Sequence, residues 1–311
     1  MAAPRITPRT YHWISRAALW SLVAIVITGA SVRLTGSGLG CSDWPNCEPG
    51  QLVPAKDFHG WVEFGNRLIT GVVSLAVILA VSASLYRAPR ERRLTMWSLG
   101  LVAGVAAQVV LGAITVRTHL SPPIVMAHFL LSMGLVWNAA VLARCADPEP
   151  QTRAPAPRSL ATHCWVVATL AAAAIVAGTV VTAAGPHGGD EDVERLAVDL
   201  PDAARVHGII VFALVIAALW LATRLRSADP TDLSRRADWV LGIIAVQATI
   251  GYVQYFTEVP VLLVAVHIAG ASALWIAVVR LVLDARGMST DIGDAPQASQ
   301  ATGSREPDFA Q

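Results

Sequence analysis

Four polar residues stand alone in long apolar stretches of this chain: His128, His207 and His267, with Asn66 at a matching place in a fourth stretch. An ionisable group inside a membrane helix is costly to keep there and is by default a functional residue. Two imidazoles facing each other across a helix bundle at equal depth meet the needs of axial haem ligation, one on each face of the porphyrin. His207 and His267 offer that pair. The competing reading of any single histidine is an interhelical hydrogen bond; a pair related by an internal repeat favours ligation. Glu63, Asn66 and Arg67 fall at i, i+3 and i+4 and share one helix face, with His59 one turn earlier on the same stripe. A carboxylate beside an arginine at that depth is either an internal ion pair or a proton-handling group beside a cofactor. Cys41 and Cys47, in GSGLGCSDWPNCEPG, read as a disulfide that staples a loop or as a thiol pair that exchanges electrons. Cys145 and Cys164 read as free thiols.

Composition dictates the elements that must position these residues. Of 311 residues, 54% are hydrophobic and 14% charged, against roughly 25% charged in soluble globular domains, which excludes an ordinary soluble domain. A net charge of +1 leaves no basic field to argue for a nucleic-acid partner. Apolar runs at 14–32, 62–86, 95–116, 124–143, 163–184, 205–223, 239–256 and 261–283 are long enough to cross a bilayer. The expected fold class is all-α integral membrane, with eight transmembrane helices as two pseudo-symmetric four-helix bundles.

Arginines collect before the first run, in the connections after the second, fourth and sixth, and beyond the eighth. The opposite loops hold few cations and carry the acidic run Asp190, Glu191, Asp192 and Glu194. The positive-inside rule therefore puts both termini in the cytoplasm of a multi-pass cell-membrane protein. The first run lacks an A-x-A-like cleavage site and reads as a retained span. The expected organisation is a cytoplasmic segment at 1–13, a first bundle at 14–144, a Pro- and Ala-rich cytoplasmic linker at 145–162 and a second bundle at 163–283. A polar tail at 284–311, without apolar periodicity, is expected to be disordered and cytoplasmic.

The two halves repeat each other. A shift of 139 superposes Gln108 on Gln247, Gly112 on Gly251 and His128 on His267; a shift of 149 places Gly29 on Gly178; a shift of 141 places Asn66 on His207. Four spans per half make the copies enter from the same side, related by an axis along the membrane normal, as in parallel transporter repeats.

The stretches TGASVRLTGSGLGCSDWPNCEPG and WVEFGNRLITG, with single histidines on the fourth, sixth and eighth spans, resemble the haem A synthase family over about residues 13–283. The resemblance implies an eight-helix oxidoreductase that converts the C8 methyl of haem O to a formyl group, giving haem A for cytochrome oxidase. It implies substrate haem in the first half and a haem b cofactor in the second. It further implies His207 and His267 as haem b ligands, His128 as a substrate-haem ligand, Glu63 as catalytic carboxylate, and Cys41 with Cys47 as the outer-loop cysteine pair. Asn66 and Arg67 are counted with the haem-binding residues. Many members have Glu-x-x-His-Arg where this chain has Glu63-Phe-Gly-Asn66-Arg67. An amide is a poor iron ligand beside imidazole, so either His128 holds the substrate haem alone or His59 bends inward. Arg33, Arg67 and Arg117 are candidates for pairing haem propionates, or boundary residues that snorkel. Expected partners are haem O, the lipid bilayer, an electron acceptor outside the chain, a haem O synthase and a further copy of the chain. The runner-up function is a di-haem b electron-transfer cytochrome linked to quinone. A secondary transporter fits less well, since the polar residues gather toward one face and not at the midplane.

Overall fold

The computed structural model describes residues 5–55, 57–148, 155–228 and 232–287. The middle of the expected linker and the tail from residue 288 lie outside the described residues. The elements are α1 (Pro8–Leu34), α2 (Phe58–Tyr86), α3 (Arg92–Arg117), α4 (Pro122–Cys145), α5 (Arg158–Ala184), α6 (Leu200–Ala228), α7 (Asp232–Phe256) and α8 (Val261–Ala285). Each is long and apolar enough to cross a membrane, and no strand longer than an isolated bridge occurs among the described residues. The protein is a multi-pass all-α membrane protein.

The helices extend past the apolar runs because local signals continue them. The Thr7 hydroxyl accepts from the Thr10 N–H at 3.2 Å and Pro8 takes the first turn of α1, a position where its missing N–H is no loss. Asp57 caps α2 by accepting from the Gly60 N–H at 2.9 Å, and Pro122 and Pro123 open α4. At the other end of the chain, the expectation of a disordered segment from residue 284 is corrected at its start. Asp284 lies in α8, buried, accepts a hydrogen bond from Arg144 of α4 at 2.7 Å and forms an ion pair with Arg236 of α7 at 2.5 Å. In sequence a carboxylate closing an apolar run looks like a water boundary; in space two arginines from other helices meet it.

α1 packs on α2 and α4, and α3 on α2 and α4, closing the first bundle. α5 packs on α6 and α8, and α7 on α6 and α8, closing the second. The bundles meet through α4 against α8, with α1 on α8 and α4 on α5. The repeat expected from sequence recurs in the backbone. His119 and Leu120 take left-handed φ values of 49° and 58°, and Glu258 and Val259, 139 residues later, take 61° and 59°. The Leu120 N–H donates to the Thr115 carbonyl at 2.9 Å, and the Val259 N–H to that of Gln254 at 2.7 Å.

The two ends of the bundles are packed differently. One face carries Ile6, the α2–α3 connection and the end of α8; call it the termini face, and the opposite one the far face. On the termini side α4 is buried from Ala139 to Cys145 and α8 from Leu281 to Ala285, and the Trp275 indole N–H donates to the Met133 carbonyl across the seam at 2.9 Å. Toward the far face, residues 124–132 of α4 and 261–271 of α8 keep accessible surface at every position but Val264. Outward, Leu68, Val72 and Leu75 of α2 and Ile209, Phe212 and Ile216 of α6 form exposed apolar stripes suited to lipid.

Candidate functional site

All four polar residues singled out in sequence lie in the loosely packed far half, on even-numbered helices. His128 and His267 occupy the second turns of α4 and α8, His207 that of α6, and Asn66 the third turn of α2, about 10 Å inside the helix ends at 1.5 Å per residue. Each stands against a glycine of the preceding odd helix. A Cβ placed on Gly112 would lie 3.4 Å from His128 Cε1, one on Gly178 3.4 Å from His207 Cε1, and one on Gly251 3.5 Å from His267 Cε1. A Cβ on Gly29 would lie 3.9 Å from Asn66 Nδ2. The missing side chains let each imidazole reach the neighbouring helix. Nδ1 of His128, His207 and His267 is sheltered and without a hydrogen-bond partner. The other reading weighed in sequence, an interhelical hydrogen bond, therefore does not account for His128 or His267 at that nitrogen. His207 and His267 lie within electrostatic reach of each other across the second bundle.

Sheltered imidazoles at one depth, each against a glycine, suit a flat iron macrocycle. Imidazole among apolar side chains is a donor that fits haem iron. Among the described residues no cluster of histidine, cysteine and carboxylates fits a bare metal ion.

The backbone around the histidines is itself braced. Gln108 of α3 donates through Nε2 to the His128 carbonyl at 3.0 Å and to the Ser132 hydroxyl at 2.5 Å. Its repeat mate Gln247 fills the space left by Gly270, where a Cβ would stand 1.8 Å from Gln247 Nε2.

The loop between α1 and α2 closes the far end of the first bundle. Cys41 and Cys47 are joined in a disulfide with S–S 1.96 Å, and both are fully buried. Glu63 and Arg67 hold this ring from below. The Cys41 N–H donates to Glu63 Oε2 at 2.8 Å, while Arg67 donates from Nε and Nη2 to Glu63 Oε1 at 3.2 and 2.5 Å. Arg67 Nη1 donates to the carbonyls of Asp43 at 3.0 Å and Asn46 at 2.8 Å. Gly40 brings the loop onto α2 so closely that a Cβ there would lie 2.3 Å from the His59 carbonyl oxygen. His59 does not bend inward: its Nδ1 is paired with the Ser37 hydroxyl at 2.9 Å, at the start of α2.

Arg33 and Arg67, the candidates for pairing haem propionates, both donate to backbone carbonyls of the far-face loops, and Arg67 also to Glu63. Arg33 reaches across the halves to His187 at 2.8 Å and Thr182 at 3.1 Å. His187 in turn donates from Nε2 to the Val259 carbonyl at 2.7 Å, and the Gly38 N–H to that of Gly189 at 2.8 Å. The far-face loops of both halves are thus stitched together. Arg117 is exposed at the end of α3.

Sequence reasoning missed Thr28. Its hydroxyl donates to Asn66 Oδ1 at 2.8 Å, and the same shift that pairs Gly29 with Gly178 puts Ala177 in its place in the second half. A lone hydroxyl where the repeat has a methyl was the available signal.

Comparison with known proteins agrees with this geometry. The family model COX15-CtaA, described as cytochrome oxidase assembly protein, matches residues 11–186. The chain is 36% identical to a haem A synthase of Geobacillus thermodenitrificans over 42% of each chain. It is 30% identical to the haem A synthase of Symbiobacterium thermophilum over 76% of this chain and 85% of the relative. A haem A synthase of Bacillus cereus aligns at 24% identity over 94% of this chain and 99% of its own length.

Proposed function

The chain belongs to the COX15-CtaA family of cytochrome oxidase assembly proteins, and from that premise we propose that it is a haem A synthase. In this reading it oxidises the C8 methyl of haem O to a formyl group, giving haem A for cytochrome oxidase. The observation that carries the reading is the set of sheltered, unpartnered imidazoles, His128 in one bundle and His207 with His267 in the other, each against its glycine at one depth.

His128 would hold the substrate haem in the first bundle, and His207 with His267 would hold haem b in the second. Haem b supplies one-electron transfer when bound. The protein's own part is to fix the substrate and to handle protons. Converting a methyl to a formyl group removes electrons and protons from a C–H bond while oxygen enters, so a proton acceptor is needed near the substrate. Glu63 lies one turn beyond Asn66 toward the far face, with both carboxylate oxygens accepting hydrogen bonds. It is held as an acceptor at the mouth of the first bundle and can take up such a proton. Arg67 keeps that carboxylate in place and ties it to the disulfide loop. The loop covers the mouth, which keeps bulk water from the reacting carbon. We place the termini face in the cytoplasm, because the arginines collect there, and the disulfide loop on the oxidising side of the cell membrane. Haem O reaches the chain from a haem O synthase, and the electrons leave to an acceptor outside it.

Purification from cells that make haem O, followed by haem extraction and mass analysis, tests the reading. Wild type is expected to hold haem A or its hydroxylated intermediate, and Glu63→Ala only haem O and haem b. Haem b alone in both proteins would sink the synthase and leave an electron-transfer cytochrome.

A further inference from the structure

Three of the four repeat-related places on the even helices hold imidazoles, and the fourth holds an amide. The second bundle carries two imidazoles, His207 and His267, whereas the first carries His128 and, at the place of His207, Asn66. The amide is not a shorter copy of the ring with free lone pairs. Its Oδ1 accepts the Thr28 hydroxyl at 2.8 Å, and its Nδ2 faces Gly29. An amide nitrogen offers no lone pair to a metal, and an asparagine ends where an imidazole's inner ring nitrogen would stand, one ring atom short of the ligating Nε2. The other histidine of this stripe, His59, is tied to Ser37 at the loop boundary. Ala177, at the place of Thr28 in the second half, has no hydroxyl with which to build such a pair.

We propose that the first bundle binds its haem through His128 alone, with the Thr28–Asn66 pair forming a polar, non-ligating wall over the opposite axial position, which stays open to a small ligand such as dioxygen or water. The inference rests on the reading of that bundle as the substrate-haem site. It makes the two bundles chemically different despite their common fold. The second, closed by two imidazoles, can only pass electrons, and the first can bind a small molecule at iron. The wall gives a small ligand hydrogen-bonding neighbours without competing for the metal.

The test uses the detergent-purified full chain from cells that make haem O, with carbon monoxide as the probe. Reduced wild type is expected to show a carbon monoxide difference band from one haem population, and oxidised wild type a high-spin signal in electron paramagnetic resonance. Asn66→His supplies the missing imidazole and should abolish both, leaving only low-spin haem. Asn66→Leu, which removes the wall but adds no ligand, should keep both, and His128→Ala should lose the carbon-monoxide-reactive haem. A wild type that is wholly low-spin and inert to carbon monoxide overturns the proposal, as does an Asn66→His protein whose high-spin signal and band are unchanged. Mass analysis of the same samples separates the two ideas. A carbon-monoxide-reactive first-bundle haem in a preparation that never forms haem A counts against the synthase and for this coordination.

Discussion

At the scale of single residues, the far end of α2 is organised by one guanidinium. Arg67 holds the Glu63 carboxylate and two loop carbonyls at once, which takes a planar fork with several donors; an ammonium group presents a point charge and cannot match that geometry. Arg67→Lys is therefore expected to keep the ion pair and lose the clamp on Asp43 and Asn46. The loop should loosen, and the Cys41–Cys47 disulfide, fully buried in the native protein, should be reduced several-fold faster by an added thiol. Quantitative alkylation after timed reduction measures it, and an unchanged rate would mean the loop is held by the Gly40 packing alone. The pair is also what lets Glu63 stand ionised at that place. A carboxylate with 8% side-chain exposure survives in an apolar setting only where a cation and a backbone N–H satisfy it.

At the scale of elements, the recurring unit is an odd helix that offers a glycine and an even helix that lays a polar side chain on it. The glycines carry no special backbone conformation; their use is close approach. Cβ positions 3.4 to 3.5 Å from the imidazoles at Gly178 and Gly251 are ordinary contact for one methyl and leave no space for a branched side chain. Gly178→Ala is expected to retain haem, while Gly178→Val should displace His207 and lower the haem b to protein ratio by roughly tenfold, the scale seen when a ligand-supporting group is lost. The helix content should stay unchanged by circular dichroism. Equal haem retention in both variants would show that the ring does not depend on that surface.

At the scale of the whole molecule, the two bundles are locked at the termini face and looser at the far face. Asp284 of α8 joins Arg144 of α4, from the other half, to Arg236 of α7. Arg144 and Asp284 are 4% and 5% exposed, so removing the acid strands a buried guanidinium. Asp284→Ala is expected to destabilise the protein by about 3–5 kcal/mol, read as a lower midpoint of thermal unfolding in detergent. The double variant Asp284→Leu with Arg144→Met should recover part of the loss, since it removes both charges. A single variant as stable as wild type would show that water reaches the seam. Packing is denser at the termini end of α4 and α8 than toward their far-face ends.

The sequence by itself determined that the chain crosses the membrane eight times, that its halves are copies, and that His128, His207, His267 and Asn66 are equivalent. These follow from periodicity and spacing, which the bilayer makes nearly deterministic: backbone polar groups must be satisfied within each span, and an isolated polar residue in such a span is conspicuous. The tertiary structure alone decided who partners whom. That Arg33 bridges the halves instead of pointing inward, that Asp284 closes α8 inside the protein, that His59 turns to Ser37 and that Thr28 occupies Asn66 all depend on contacts between residues far apart in the chain or on side-chain direction. No local pattern carries that information, because helix faces are set by packing against neighbours whose rotation and depth appear only once all eight helices are assembled.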